Sequence, residues 1–293
     1  MTDTRFQSTE TVLAPGAWRP RRDAHLARTA LLVEQRRQRA AEGVREPVED
    51  FLFTYYPFRL SALQRWTPGA QVALSAADEL LTDIRFTLGA DGLVRIKPPT
   101  AAERERLIFA RDLGVAVASR PAFLGCFGLH EWAMVYRQAE ARRHQQWPLR
   151  LGPAGTDAVV QSMPLRCTHY DAYRFFTPEA RPLNRQAPDL AGRLGNEQPG
   201  CVHVTMDLYK WAMKSAPWVS AELAADCFEL AREARTVDMR ASPYDFSSVG
   251  LIPICIETPP GRAEYELAQR LLAKKAEPLR ARLLAALNAA LSE

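Results

Sequence analysis

Residues 83–103 read Asp83-Ile-Arg-Phe-Thr-Leu-Gly-Ala-Asp-Gly-Leu-Val-Arg-Ile-Lys-Pro-Pro-Thr100-Ala-Ala-Glu103. Two short runs, Asp83–Leu88 and Gly92–Lys97, flank Gly-Ala-Asp-Gly, a turn composition that predicts a β-hairpin. Pro98-Pro99 then stops the strand. Thr100 followed by Glu103 three residues on is a capping box, so a helix is predicted to begin here. Leu107, Ile108, Leu113 and Val117 supply its buried face and Pro121 closes it. A hairpin running into a capped amphipathic helix points to an α+β chain, predominantly helical, with a small mixed β-sheet.

Upstream, residues 1–16 read as a loose arm ended by Pro15-Gly16, leaving 17–293 as one globular domain. A helix is predicted from about Trp18 to Glu42, with Leu26, Ala30, Val33 and Ala40 as its stripe and Gly43 as its stop. Arg21, Arg22, Arg28, Arg36, Arg37 and Arg39 crowd its other face, which reads as solvated and ion-paired, or else as a phosphate-binding surface. His25 on this helix is expected at the surface. Phe51-Leu-Phe-Thr-Tyr-Tyr-Pro-Phe58 carries five aromatics in eight residues, mostly core material.

Downstream, Pro148–Leu151, Ala158–Val160, Leu165–His169 and Leu251–Ile256 read as strands. Residues 177–200 read as a long loop. Helices are predicted at about Val204–Ser215 and Ser220–Arg235, and over 260–291 with an interruption near Pro278. No strand–GxGxxG–helix unit and no GxxxxGK[ST] loop is present, which argues against nucleotide-cofactor and ATP-driven chemistry.

The totals fit a folded protein of ordinary surface: 293 residues, 47% hydrophobic, 25% charged, net charge +4. A pI of about 8.9 permits a phosphate-bearing partner without demanding one. Five cysteines (Cys126, Cys167, Cys201, Cys227 and Cys255) with no secretory pattern suggest reduced thiols and a cytoplasmic protein. No apolar run is long enough for a membrane helix.

Ionisable residues gather in the middle of the chain. His130-Glu131, His169-Tyr-Asp171 and His203-Val-Thr-Met-Asp207 each place a histidine beside a carboxylate. Such a pair serves as an oriented general base or as metal ligands. His144, in Arg142-Arg143-His144-Gln-Gln, reads as solvated. Cys167-Thr-His169 and Cys201-Val-His203 repeat a Cys-x-His spacing, but the Cys pairs at short spacing that mark structural zinc are missing. On the helix from Met206, Asp207, Lys210, Trp211 and Lys214 share one side. Asp238-Met-Arg-Ala-Ser-Pro-Tyr-Asp245 reads as a loop rich in donors and acceptors.

Pro47-Val-Glu-Asp-Phe-Leu-Phe-Thr-Tyr-Tyr56, Gly125-Cys-Phe-Gly-Leu-His-Glu-Trp-Ala-Met-Val-Tyr-Arg137, His169–Pro178, Met206-Asp-Leu-Tyr-Lys-Trp211 and Asp238–Asp245 resemble a bacterial family commonly labelled 3-methyladenine DNA glycosylase. The resemblance runs from about Trp18 to Arg282. It implies DNA repair: hydrolysis of the N-glycosidic bond of an alkylated or modified base, in DNA or as a nucleoside, without a cofactor. The hairpin of helix-hairpin-helix glycosylases is missing, so no catalytic residue is carried over from it.

The residues themselves supply the site. Asp238, Asp207 or Asp171 would stabilise the sugar cation and direct water, with His169 and His130 positioning protons. Trp132, Tyr136, Tyr170, Tyr209 and Tyr244 would stack on the base, while Arg174, Lys210 and Arg240 hold phosphate or base edges. The rival readings are a zinc- or iron-dependent enzyme on a small metabolite, with ligands drawn from His130, Glu131, His169, Asp171, His203 and Asp207, and a non-catalytic nucleic-acid-binding protein.

Overall fold

The computed structural model describes residues 10–44, 46–138 and 144–292. Helix α1 (Pro15–Glu42) starts with Pro15 in its first turn and ends at Gly43, whose φ of 67° lets its N–H reach Ala40 O. Short helices α2 (Glu49–Tyr55) and α3 (Leu60–Gln64) follow. Helix α4 (Ala101–Ala118) opens with the predicted capping box, Thr100 and Glu103 exchanging side-chain and backbone bonds. Then come α5 (Leu129–Ala133), α6 (Gly152–Ser162), α7 (Tyr170–Tyr173), α8 (Arg193–Asn196), α9 (Val202–Lys214), α10 (Ala221–Ala241) and α11 (Pro259–Ser292).

The sheet is small and mixed, in the order β1-β2-β4-β3. β2 (Val72–Leu74) lies between parallel β1 (Thr11–Leu13) and antiparallel β4 (Val94–Ile96), and β3 (Phe86–Leu88) pairs antiparallel with β4 in the predicted hairpin. The α+β class, mainly helical, is therefore the observed one.

Several sequence expectations are corrected. The arm over 1–16 contributes β1 and the first turn of α1; residues 1–9 of it lie outside the described residues. Ala158–Val160 is inside α6, because a three-residue apolar run cannot distinguish strand from helix and Gly152-Pro153 sets a helix start. Leu149 and Leu165 make only isolated bridges, to Tyr244 and Asn184. Leu251–Ile256 is extended without a strand partner, its Ile254 N–H bonding Arg240 O at 2.7 Å. Helix α11 runs through Pro278, which forfeits one backbone bond without ending the helix. The loop over 177–200 contains a 3-10 turn, Arg181–Leu183, as well as α8.

Helix α9 is the axis of the molecule. Every residue from Val202 to Ala212 is buried, with α10 and α11 packed along it. A helix buried all round is normally apolar. This one carries His203, Asp207 and Lys210, and each must find a partner inside the protein.

The arginine-rich face of α1 is spent on ion pairs. Arg21 meets Glu222, Arg22 meets Glu79, Arg28 meets Asp226 and Glu229, and both Arg36 and Arg39 meet Asp50. These contacts staple α1 to its neighbours. His25 is buried, not at the surface: its Nε2 lies 2.9 Å from Leu63 O. No helix among the described residues is long and apolar enough to cross a membrane.

Candidate functional site

His203, Asp207 and Lys210 recur at helical spacing along one face of α9. Two clusters of ionisable side chains form around that face, one at each end of it, and His203 joins them. Its ring lies 4.4 Å from that of His130, edge-on, and 5.2 Å from that of His169, stacked.

The first cluster is His130, His203 and Asp238. α5 delivers His130: Gly128 (φ 69°) turns the chain where a Cβ would lie 3.3 Å from Ala241 Cβ, and Trp132 Nε1 donates to Ala241 O at 2.8 Å. This seats α5 against the last turn of α10. Asp238 lies in that turn, inside the helix and fully buried, not in a loop as its sequence suggests. His130 Nε2 is 2.8 Å from Asp238 Oδ1, while Arg235 Nη1 donates to Asp238 Oδ2 and to Glu131 Oε1, both at 2.8 Å. The Arg235 guanidinium lies 3.6 Å over the Phe51 ring.

A donor atom from each of His130, His203 and Asp238 lies within 4.8 Å of the other two. His130 Nε2 and Asp238 Oδ1 are buried and face each other at 2.8 Å, and His203 Nδ1 is buried beside them. The group could hold a divalent cation, whose bonds of about 2.0–2.2 Å place neighbouring donors about 3–3.5 Å apart.

The electrostatics of the three groups differ. Burial and the nearby His130 push the His203 pKa well below its usual value, keeping it neutral. Burial alone would raise the Asp238 carboxyl, but His130 and Arg235 hold it well below the carboxylate range. Burial would lower His130 too; the Asp238 carboxylate outweighs it and raises the imidazole above its usual value.

The second cluster is His169, Asp171 and Asp207, whose donors also lie within 4.8 Å of one another. Here the cation is built in. Lys210 Nζ lies against Asp207 Oδ2 and 3.1 Å from Asp171 Oδ2. His169 Nε2 is 3.2 Å and Arg193 Nη2 3.4 Å from the same Asp207 oxygen, while Tyr56 donates to Asp207 Oδ1 at 2.7 Å. Arg193 Nε also donates to buried Glu197 at 2.6 Å. Burial would raise the Asp207 pKa, but Lys210 and His169 hold it far below the usual carboxylate range.

A cavity of about 60 Å³ adjoins the first cluster. Phe51, Tyr55, Met134, Phe175 and Tyr244 form its apolar wall, and Glu131, His203 and Arg235 its polar side. His144, exposed as expected from its sequence, stands at the same cavity; Arg142 and Arg143 lie outside the described residues.

The structure therefore brings together His130, His169, Asp171, His203, Asp207, Lys210 and Asp238. It removes others. Trp132, Tyr136 and Tyr209 are core side chains. Arg240 is tied to Ile252 O and Glu264, away from both clusters. Arg174 is exposed, 4.2 Å over Phe175 and 3.5 Å from Asp171, and Tyr170 is half-buried at the start of α7. Glu131, a suggested metal ligand, is instead bound to Arg235. Among the described residues no cysteine joins a metal-type group; burial raises the Cys167 thiol to about 12 and the Cys201 thiol well above its usual value.

Sequence reading missed Arg235, Arg193, Glu197 and Tyr56. Arg235 is three residues before Asp238 on α10, a signal hidden by reading Asp238 as loop. Arg193 and Glu197 are spaced i, i+4 in a segment that looked irregular. No protein-family model, no curated protein and no solved structure matches this chain.

Proposed function

We propose that this protein is a metal-dependent enzyme that acts on a small molecule at the His130–His203–Asp238 centre. One observation carries the reading: two imidazoles and a carboxylate, all buried, bring ligand atoms within 4.8 Å of one another, and one of the imidazoles, His203, borders a cavity. Two histidines and one carboxylate are a ligand set for iron or zinc that leaves coordination positions open for substrate or water. A bound cation would polarise a ligand or lower the pKa of its water. The protein's own part is to hold neutral His203 and ionised Asp238 in place. Arg235 fixes the second Asp238 oxygen, as outer partners of metal ligands do.

Hydrolysis of a modified base is the second reading. The family resemblance and the aromatic cavity wall of Phe51, Tyr55, Phe175 and Tyr244 favour it, since such a wall suits a planar guest. It asks more of the structure. Asp207 and Asp238 are both buried and already bonded, whereas the carboxylate of a glycosylase must reach the sugar. At about 60 Å³ the cavity is also well below the roughly 150 Å³ that takes benzene.

The test is metal analysis of protein purified without chelator, paired with base release from alkylated DNA. Near-stoichiometric iron or zinc, lost in His203→Ala, supports the metal enzyme. Base release by chelator-treated, metal-free protein would sink it and favour the glycosylase. The five unpaired thiols suit a reducing, cytoplasmic setting for either activity.

A further inference from the structure

We propose that the centre holds ferrous iron and that its open side binds a diatomic gas, dioxygen in the cell, inside the aromatic chamber that His203 borders. This rests on the metal reading above and narrows it to one ligand class.

Three features of the chamber point this way. The first is the ligand count. His130, His203 and Asp238 supply two imidazoles and one carboxylate, the donor set of non-haem iron sites that keep positions free for oxygen. The second is size. All three ligands are buried, with exposures of 5%, 2% and 0%, and the cavity that His203 borders is about 60 Å³. A diatomic molecule fits there readily; a polymeric or large polar substrate does not reach the ligands. The third is polarity. Glu131 and Arg235 are the charged groups on the chamber wall apart from the histidines, and they are bonded to each other. The rest of the wall is Phe51, Tyr55, Met134, Phe175 and Tyr244. The aromatic part of the wall receives an uncharged gas at little cost, and Arg235 on the polar part is already paired with Glu131 and Asp238.

Nitric oxide is the probe, because it binds ferrous iron where dioxygen would without being turned over. Metal-free protein is loaded anaerobically with one equivalent of iron(II), its content measured, and nitric oxide added. The expected result is the quartet-spin iron–nitrosyl resonance, at near one per iron. Met134→Trp and Phe175→Trp, which fill the chamber from two sides, should each retain iron while the nitrosyl signal falls about tenfold or more. Using both guards against one variant failing to fold.

Iron bound at one per chain with no nitrosyl signal overturns the inference and leaves the metal reading standing. So does full signal in both tryptophan variants, which would place the gas elsewhere, or retention of zinc with rejection of iron. Failure to retain any metal would end the metal reading itself.

Discussion

The two clusters on α9 are built from the same side-chain types, yet they are finished differently. Around His169, Asp171 and Asp207 the positive charge is covalently supplied: Lys210 sits between the carboxylates, and Arg193 and Tyr56 complete the bonding. Around His130, His203 and Asp238, among the described residues, no lysine enters: Arg235 bonds one Asp238 oxygen, His130 faces the other, and buried His203 borders a cavity. A cluster closed by lysine is a rigid ion-pair network; a cluster left open toward a cavity can accept a cation. Charge balance, not ligand identity, separates a structural knot from a candidate centre.

The sharpest way to break this contrast is to remove the internal cation. Lys210→Met should destabilise the protein by about 3–5 kcal/mol in denaturant titration, because it removes the cation between buried Asp207 and half-buried Asp171. If Lys210 stands in for a metal, the variant should also take up a second equivalent of divalent cation by metal analysis. A loss below about 1 kcal/mol would reduce the network to a weak surface-type pair.

Metal loading tests the other half. With free metal at about 100 times its dissociation constant, the wild-type protein should gain about 2.7 kcal/mol, and His203→Ala should gain none. Equal gains would move the metal elsewhere.

pH dependence of the metal-free protein distinguishes the histidines. His203 has a folded pKa below its unfolded value of about 6.5, so the stability it contributes is present above that pH and lost as pH falls through it. His130, raised, behaves oppositely: its contribution is complete below about 6.5 and disappears as pH rises through its folded pKa. His203→Gln should therefore gain stability relative to wild type when both are unfolded by denaturant at pH 5.5 and again at 7.5, with the gain at the lower pH. Parallel behaviour of the two proteins would show that His203 does not bear the burial penalty.

The smallest effect is expected on α1. Arg28→Ala should cost only about 0.2–1 kcal/mol, less at high salt, because its partners Asp226 and Glu229 are partly exposed. If the same substitution abolished tight, salt-sensitive DNA binding, the arginine face would be an interface after all.

Much of the fold was legible from short-range chemistry. The hairpin over 83–97, the Thr100–Glu103 box, the Gly43 stop and the Ser220 cap of α10 depend on turn residues and caps that act within a few residues. The readings that failed involve segments too short for periodicity, such as Ala158–Val160, or ones whose character depends on what packs against them. Asp238 looked like loop because Pro243 is close, yet the helix continues to Ala241 once Trp132 bonds its last carbonyl.

For the site, the sequence by itself determined which groups were available: histidines next to carboxylates, an Asp–Lys pair at helical spacing, aromatics between them. Only the tertiary structure decided which of them meet. It placed His130 against Asp238, more than a hundred residues away, set Lys210 between two aspartates, and sent Arg240 and Tyr209 elsewhere. The reason is physical. Local sequence governs caps, turns and helix faces, while the bonding of a buried ionisable group is settled by whichever partners the packed core brings within reach, and no spacing along the chain encodes that directly.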